Sequence, residues 1–383
     1  MSFSNSKITI EGLFRFFYIA LLFFTMLYLI LFPFMPTQTA LLRLPSLLVI
    51  LFMSIMYIFF KKYNVYEVIA LLGIIFIIIL NYLIYPETMA VDSLYKTFGF
   101  ISFVFLIISS DALQLTEKTI RFTYFFCLLC VIILFCYSFS SFAYWNTKQY
   151  VNSLTLGFYN PNFAAMILFF LFSLLFICMP KKYRLVSYIF ELVILYLLFR
   201  TNSRTSFFSA IFIPILSIFL PHKPLPKWLI IMLASIPFVF VKLYLGLYHS
   251  VSNVELFFGK SLFSGRQITY VMFLDFIKTP LDYLIGHAQS NIFVNAHNGP
   301  LGIFVSIGIC GSFCFWLIWF RKLLIYNQNI SNRESYIAIL VLLACLINSC
   351  TEGGCFLGGF PLLVFMYIIL VLANNKYALE KEK

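Results

Sequence analysis

The sequence predicts an all-α polytopic membrane protein with about twelve transmembrane helices. Of its 383 residues, 62% are hydrophobic and only 10% are charged, whereas soluble domains are about half apolar and a quarter charged. Apolar runs of about 18 residues or more recur along most of the chain, and each can cross a hydrocarbon core roughly 30 Å thick. No segment has the composition of a separate soluble domain. We therefore expect a single integral membrane domain over residues 1–383.

Hydropathy places the predicted spans in order along the chain. The first run follows Lys7 and Arg15 and lacks a small-residue cleavage site, so it is expected to be a retained span and not a signal peptide. The predicted spans are 17–35, 40–60, 65–85, 93–110, 122–141, 162–179, 184–199, 205–220, 228–246, 299–320, 335–351 and 355–373.

Loop charges orient these spans. Cytoplasmic loops of membrane proteins carry an excess of Lys and Arg. With both termini in the cytoplasm, 17 of the 26 basic residues lie on the cytoplasmic side, and this bias accounts for the net charge of +12 without a nucleic-acid partner. The cytoplasmic set is Lys7, Arg15, Lys61, Lys62, Lys118, Arg121, Lys181, Lys182, Arg184, Lys223, Lys227, Arg321, Lys322, Arg333, Lys376, Lys381 and Lys383.

One connection is much longer than the others. Residues 247–298, between the ninth and tenth predicted spans, lie on the outer, periplasmic side in this orientation. Long loops between tight elements tend to be functional or disordered. The apolar runs LFFGKSLF and YVMFLDFI within the loop indicate amphipathic helices lying against the membrane. We expect a folded loop subdomain over 247–298 that carries part of the active site.

The nine cysteines and one acidic residue have structural interpretations. Most cysteines lie inside apolar runs, which favours packing, and the CxxC of Cys127 and Cys130 has no partner pair. Cys350 and Cys355 lie near a helix end, and the sequence leaves open whether they form a disulfide. Glu191 lies inside the seventh span, where a carboxylate is expensive and is usually functional or paired. No role is assigned to it.

Three arginines on the outer side form the candidate anion site. Arg200 and Arg204 lie in the tight hairpin LLFRTNSRTSFF, and Arg266 lies in LFSGRQITY of the long loop. A guanidinium keeps its charge and can grip phosphate at two points. The alternative is that each arginine only reaches lipid phosphates from a helix end. It applies less to Arg204 and Arg266, whose Ser- or Gly-flanked turns let the backbone approach a ligand.

Two helix starts are predicted at the same surface. In GFYNPNFAAM, Asn160 is a natural cap and Pro161 fits the first helical position. In AHNGPLGIF, Asn298 or Gly299 caps the tenth span and Pro300 begins it. The free N–H groups of a helix start and its partial positive charge favour anions. Asparagine and proline are also simply good helix starters, and for Asn160 alone that interpretation is favoured.

His297 lies just before the N-terminal end of the tenth predicted span. A neutral histidine at the membrane surface could accept a proton from an attacking hydroxyl. The alternative is a histidine that hydrogen-bonds its own loop, and the residues alone favour that alternative. A family resemblance reverses the preference.

Three segments occur in a fixed order: GFYNPNFAA, NSRTSFF and SGRQ…IGHAQSN…AHNGPLGIFVSIGICG. Together with about twelve spans and a large outer loop, they resemble the bacterial O-antigen ligase and polymerase superfamily. The sharp motifs lie within residues 157–316, and elsewhere the match is in hydropathy alone. The resemblance implies a fold similar to polyprenyl-dependent membrane glycosyltransferases. It also implies inverting transfer of a glycan from undecaprenyl pyrophosphate to an acceptor hydroxyl, at the periplasmic face of the inner membrane, with no cofactor and no metal.

The resemblance also implies roles for particular residues. It makes Arg204, Arg266 and His297 the catalytic candidates. His287 follows a glycine where relatives carry another small residue, so its reach to the substrate stays open. Glu352, near the outer end of the eleventh span, either assists the acceptor or is a simple turn residue. The substrate-binding candidates are Arg200, Asn160, Asn162, Asn298, His287 and Glu352.

Within the superfamily the outer loop is short for a ligase. This favours a polymerase of lipid-linked O-antigen or capsular repeat units over a ligase that moves finished polymer onto lipid A–core. A flippase for the same repeats is favoured less, because no repeat relates the two halves of the chain. Expected partners are the lipid-linked donor and acceptor, membrane lipids, and a chain-length regulator and a flippase of the same pathway, with no nucleic acid.

A reporter fused near Gln267 tests the predicted orientation. With the long loop outside, alkaline phosphatase fused there is expected to be active, because this reporter needs the periplasm. A fusion at Lys223, between the eighth and ninth predicted spans, is the control and is expected to be inactive. Activity of a cytoplasmic reporter at Gln267 would contradict the orientation.

Overall fold

The computed structural model describes residues 10–35, 48–53, 57, 64–86, 91–147, 150–158, 160–250, 255–256, 260–261, 265–287, 297–357 and 360–376. The fold is all-helical, as predicted, apart from two small antiparallel hairpins. The hairpins pair β1 (Tyr144–Thr147) with β2 (Tyr150–Leu154) and β3 (Glu255–Leu256) with β4 (Lys260–Ser261). The helices are α1 (Ile10–Leu31), α2 (Val65–Ile84), α3 (Val91–Ser109), α4 (Glu117–Tyr137), α5 (Pro161–Cys178), α6 (Arg184–Arg200), α7 (Arg204–Phe219), α8 (Lys227–Ser250), α9 (Arg266–Leu274), α10 (Pro280–Ile285), α11 (Gly299–Gln328), α12 (Arg333–Asn348), α13 (Gly354–Leu357) and α14 (Leu362–Ala373).

Six of the described helices are long and apolar enough to cross a bilayer, which is the architecture of a membrane-embedded protein. The six are α1, α2, α4, α5, α8 and α11. The prediction of about twelve spans is not confirmed. Helices α3, α6, α7, α12 and α14 coincide with further predicted spans, but they are not among the six. Most of the predicted second span, 40–60, lies outside the described residues.

The twelfth predicted span is not one continuous helix. Residues 355–373 were expected to form a single span, but the structure has the short helix α13 and then α14. Pro361 is the residue at the start of α14. Proline lacks an N–H group and its ring clashes with the preceding helical turn, so a helix cannot run through it without a break.

The core of the protein is made of helices that are apolar on every side. Helices α5, α12 and α14 are buried along nearly their whole length, as expected for helices without a polar face. Phe170 of α5 stacks on Phe365 of α14 with ring centroids 5.8 Å apart. By contrast, α2 buries one side, including Ile74, and exposes the other, including Phe76. The exposed side is the one available to lipid.

A buried ion network lies at one end of the helix bundle, where α2 begins and α11 ends. Lys322 of α11 is 1% exposed, and its amine donates to the Asp111 carboxylate at 2.8 Å and to the Ile108 carbonyl at 2.9 Å. Glu67 of α2 lies 3.1 Å from the same amine and 3.3 Å from Nε of Arg321. Buried charges are tolerated only when they are paired in this way.

Glu191 lies near the same end of the bundle. It is buried in α6, and Arg333 at the start of α12 is the charged residue that interacts with it. The guanidinium of Arg333 also donates to the carbonyls of Phe176 and Ile177, which end α5. The interaction of Glu191 with Arg333 is electrostatic only, because Oε1 of Glu191 is buried without a hydrogen-bond partner.

The cysteines are all free. The disulfide between Cys350 and Cys355 that the sequence left open is therefore not present. The thiol of Cys355 faces α12, where its sulfur lies 3.8 Å from Oδ1 of Asn348. Cys127 and Cys130 are buried in α4, which confirms the packing interpretation.

The described part of the long loop contains two short helices. The predicted amphipathic helix at YVMFLDFI overlaps α9, which runs from Arg266 to Leu274. The predicted helix at LFFGKSLF is wrong, because its described residues form parts of the β3–β4 hairpin. The glycine inside that run favours a turn over a helix.

Replacing Lys322 with methionine tests the ion network. The variant leaves Glu67 and Asp111 without their shared amine, and removal of one member of a buried pair is expected to lower the free energy of unfolding by about 3–5 kcal/mol. Unfolding in detergent micelles measures the change. The control is Lys223→Met at an exposed position, where a change within about 0.5 kcal/mol is expected. Equal effects of the two substitutions would contradict the network.

Candidate functional site

Glu352 brings together two of the predicted catalytic residues. Its Oε1 lies 2.6 Å from Nη2 of Arg266, and its Oε2 lies 3.7 Å from Nδ1 of His297. The three residues come from the start of α9, the end of the long loop and the turn after α12. The Glu352 side chain is only 4% exposed, so its charge depends on these partners. We call Arg266, Glu352 and His297 the triad.

Arg204 interacts electrostatically with Arg266 of the triad. It is the first residue of α7, and its charge interacts with that of Arg266. The Tyr244 side chain of α8 interacts with both guanidinium groups. Arg204 and Arg266 therefore place two positive charges close to each other. Since like charges in close proximity repel, an anion bound between Arg204 and Arg266 would relieve that repulsion.

Arg266 keeps its charge despite its partial burial. Burial alone would lower its pKa, but the adjacent Glu352 carboxylate together with Tyr270 and Tyr244 more than offsets this effect. The pKa of Arg266 therefore lies above its ordinary value. Glu352 engages one of its terminal nitrogens, and a guanidinium has five N–H donors, so further donors are left for a ligand.

The backbone at His297 is held in an uncommon conformation. Its φ is +48°, a left-handed value that costs of order 1–3 kcal/mol in a residue other than glycine. The buried hydroxyl of Tyr270 reaches the carbonyls of His297 at 3.2 Å and of Cys350 at 3.1 Å. Tyr270 therefore joins the segment before α11 to the turn that carries Glu352. Burial raises the pKa of Tyr270, which keeps the hydroxyl protonated as a donor.

Asn298 caps α11, as predicted. Its Oδ1 accepts from the Leu301 N–H at 2.8 Å, and its Nδ2 donates to the Cys350 carbonyl at 3.0 Å. The Gly299 N–H donates to the Ser349 carbonyl at 2.9 Å, and Gly302 bonds back to the Asn298 carbonyl. The N–H groups of the first turn are thus already used. The expectation that these N–H groups are free for an anion is wrong, and substrate binding by Asn298 stays a prediction.

The backbone N–H groups at the start of α5 are also already hydrogen-bonded. Asn160 caps the helix, as predicted, by accepting from the Asn162 N–H at 2.7 Å. The N–H groups of Phe163 and Ala164 bond to the Asn160 carbonyl, and Pro161 has no N–H group. Any anion at this surface must therefore be bound mainly by side chains. Substrate binding by Asn160 and Asn162 stays a prediction.

Arg200 contacts aromatic side chains. Its guanidinium donates to the Tyr196 hydroxyl at 2.8 Å and lies 5.2 Å from the centre of the Tyr144 ring, a cation–π distance. Nearby, Asn202 donates to Ser153 at 2.8 Å and fixes the α6–α7 hairpin against β2. These contacts place Arg200 against β1 and α6, and its substrate-binding role stays a prediction.

His287 packs where the long loop meets α11. The centroid of its ring lies 4.3 Å from that of the Tyr85 ring and 6.2 Å from that of the Phe276 ring. The backbone N–H of His287 donates to the Val305 carbonyl at 2.7 Å. Beside it, Gly286 lies so close to Gly308 that an added Cβ would stand 2.5 Å from the Gly308 nitrogen. These contacts give His287 an anchoring role, and its reach to a substrate stays a prediction.

Asp282 holds the same part of the loop. It accepts hydrogen bonds from the Tyr85 hydroxyl, from the backbone N–H of Lys278 at 3.1 Å and from that of Thr279 at 2.7 Å. Burial would raise its pKa, but these bonds outweigh that effect and hold the pKa of Asp282 below its ordinary value. Its contribution to stability is therefore present above the unfolded-state pKa and is lost as the pH falls through the lower folded value.

Sequence reasoning missed three of these side chains. Tyr244 and Tyr270 are two among 24 tyrosines, and no local pattern distinguishes them. Asp282 had a readable signal, because Thr279 and Asp282 form a capping box at the start of α10. No family model matches the sequence, and no curated protein matches it. The family resemblance therefore depends on the quoted motifs alone.

A double-mutant cycle tests the contact between Arg266 and Glu352. The single variants Arg266→Gln and Glu352→Gln and the double variant are expected to give a coupling energy of about 1–3 kcal/mol, within the range for contacting residues. Unfolding in detergent micelles supplies the four free energies. The control is the half-exposed pair Arg121 and Glu117, for which a coupling below about 1 kcal/mol is expected. A coupling no larger than the control would contradict a buried ion pair.

Proposed function

We propose that the protein is a membrane glycosyltransferase that polymerises undecaprenyl-pyrophosphate-linked repeat units into O-antigen or capsular polysaccharide. The observation that carries the proposal is the triad with Arg204 beside it. It combines a group that can take a proton with fixed positive charge, and transfer from a diphosphate donor requires both. The motif resemblance to O-antigen ligases and polymerases supplies the substrate class.

The positive charge acts on the leaving group. Departure of a diphosphate concentrates negative charge on the oxygen that leaves the sugar, and preorganised donors aimed at such charge are the strongest source of catalysis. Arg204 and Arg266 supply these donors. Because the helix starts at Gly299 and Pro161 have no free N–H groups, the two arginines carry this role.

His297 acts on the attacking group. Its Nδ1 faces the Glu352 carboxylate, so Nε2 is the nitrogen that takes the proton, and Glu352 orients the ring and stabilises the imidazolium that forms. The acceptor oxygen forms a bond to the anomeric carbon while the bond from that carbon to the diphosphate oxygen breaks. The electron pair leaves with the diphosphate, and the hydroxyl proton passes to His297. A single displacement of this kind inverts the anomeric carbon.

The proposed topology has about twelve spans, with both termini in the cytoplasm of a bacterium and the site at the periplasmic face of the inner membrane. The positions of α3, α6, α7, α12 and α14 support the spans beyond the six of membrane length. The charge bias supports the orientation, because Lys322, Arg321 and Arg333 lie at the helix ends away from the triad.

Two related activities are the alternatives. A ligase would transfer finished polymer to lipid A–core with the same chemistry, and the short loop of 247–298 favours the polymerase. A flippase for lipid-linked repeats would not need a proton acceptor beside paired arginines. The contact between His297 and Glu352 therefore favours a transferase over a flippase.

Replacing His297 with alanine in the full-length protein tests the proposal. Loss of a general base is expected to slow transfer about 10²–10⁴-fold, so a strain that depends on the variant should lose long-chain glycan on a lipopolysaccharide or capsule gel. The control is His222→Ala, an exposed histidine against Tyr336 at the other end of the bundle. It is expected to keep wild-type chain length.

The same gel separates the two transferases. Deletion of a polymerase leaves core bearing a single repeat, whereas deletion of a ligase leaves bare core. Membrane insertion of His297→Ala is checked by the amount of protein in the membrane fraction. Normal chain length in a well-inserted His297→Ala variant would remove His297 from the mechanism.

A further inference from the structure

Two hydroxyl groups join the start of α7 to the turn after α12. The Oγ1 atoms of Thr205 and Thr351 are hydrogen-bonded to each other across 146 positions of the chain. Thr205 directly follows Arg204, and Thr351 directly precedes Glu352. The bond therefore connects the immediate neighbours of two residues of the proposed site. We call Thr205 and Thr351 the threonine pair.

A second hydrogen bond joins the same two segments. The Nδ2 group of Asn348 donates to Oγ of Ser206 at 3.3 Å, and the Asn348 carbonyl accepts from the Glu352 N–H at 3.1 Å. Asn348 and Ser206 are both fully buried, and a hydrogen bond away from water is electrostatically stronger than one at the surface. Asn348 thus connects the backbone of Glu352 to α7.

The turn before Arg204 is fixed on its other side by β2. Asn202 has a φ of +58°, a left-handed value that asparagine tolerates better than most residues. Its side chain donates to Oγ of Ser153 in β2 at 2.8 Å. The backbone of Arg204 is therefore held between a contact with β2 on one side and the threonine pair on the other.

We propose that Thr205 and Thr351 are positioning residues that set the place of Arg204 relative to the ion pair of Arg266 and Glu352. This inference rests on the proposed function and adds the contact that aligns its two arginines. Arg204 begins α7 and Arg266 begins α9, and their charges act on each other. Because like charges repel, the scaffold must enforce their proximity. The threonine pair does so by binding α7 to the turn whose Glu352 holds Arg266.

The geometry of the hydroxyl contact sets the size of the expected effect. Hydrogen-bonded hydroxyl oxygens lie about 2.7–2.8 Å apart, whereas two carbon atoms are in best contact at about 3.5–4.0 Å. Valine in place of both threonines keeps the side-chain shape but separates the two segments by roughly 1 Å. A misplacement of about 1 Å near the reacting groups can lower the rate about 100-fold.

The double variant Thr205→Val/Thr351→Val tests the proposal. Transfer is measured with purified full-length protein in nanodiscs, and the substrate is the lipid-linked repeat unit that accumulates in a strain deleted for this protein. We expect kcat to fall about 10–100-fold. KM should change little, because the charge that Arg204 stabilises grows in the transition state. The stability of the double variant should stay close to that of the wild type, because neither hydroxyl is left without its partner.

Two control variants separate positioning from folding. Thr205→Ser/Thr351→Ser keeps both hydroxyl groups and is expected to recover most of the kcat that the valine variant loses. Tyr18→Phe/Thr123→Val removes a buried hydroxyl contact of 2.8 Å between α1 and α4, which carry none of the site residues, and should keep the wild-type kcat. If the serine and valine variants lost kcat equally, the hydrogen bond would not be the cause and the proposal would be overturned.

An Arg204→Gln background shows through which residue the threonine pair acts. There the valine variant is expected to cause no further fall in kcat, since residues that act through one group are not additive. A further fall as large as in the wild-type background would overturn the assignment to Arg204. Wild-type kcat in the valine variant, with a slow Arg204→Gln, would overturn the positioning role alone. Wild-type kcat in Arg204→Gln itself would overturn the proposed function of this arginine together with the inference.

Discussion

The buried carboxylate of Glu352 is the group on which the arrangement of the site depends. A carboxylate that is almost inaccessible to water requires a positive partner, and Arg266 meets this requirement at 2.6 Å. That pairing draws the first residue of α9 onto the turn after α12. The loop is thus attached to the helix bundle by a charge interaction next to His297, which lies just before α11. The contact that fixes the loop is therefore also part of the proposed catalytic site.

A second constraint concerns where positive charge can come from. The N-terminal end of α11 lies at the site. The first N–H groups of α5 and of α11 are both satisfied, by Asn160, Asn298 and neighbouring carbonyls. The backbone N–H donors at these helix starts are therefore used in hydrogen bonds that fix the helices. Recognition of an anion falls to guanidinium groups, which keep their charge and extend from the scaffold. This division explains why a chain with so few charged residues places arginines beside a buried acid.

The apolar runs predicted the helices well, because the length and composition of a span are local properties of the sequence. The caps at Asn160 and Asn298 were likewise readable from adjacent residues. The role of Glu352 could not be read from adjacent residues, because its partners Arg266 and His297 are distant in the chain. The charge of a glutamate does not indicate which residue it contacts. The β3–β4 hairpin and the split before α14 depended on single turn residues, which hydropathy averages away.

A break at Gly308 divides α11 into a short and a long helical segment. At Gly308 the backbone leaves helical geometry, with φ 62° and ψ −171°, and Gly286 of the loop packs directly against it. Asn81 of α2 bonds to the carbonyls of Ile285 and Ser306 on either side of this junction. The short segment that follows His297 is therefore held at the break by the loop and α2, and at its start by the turn after α12. Displacement of the loop would shift the imidazole along with it.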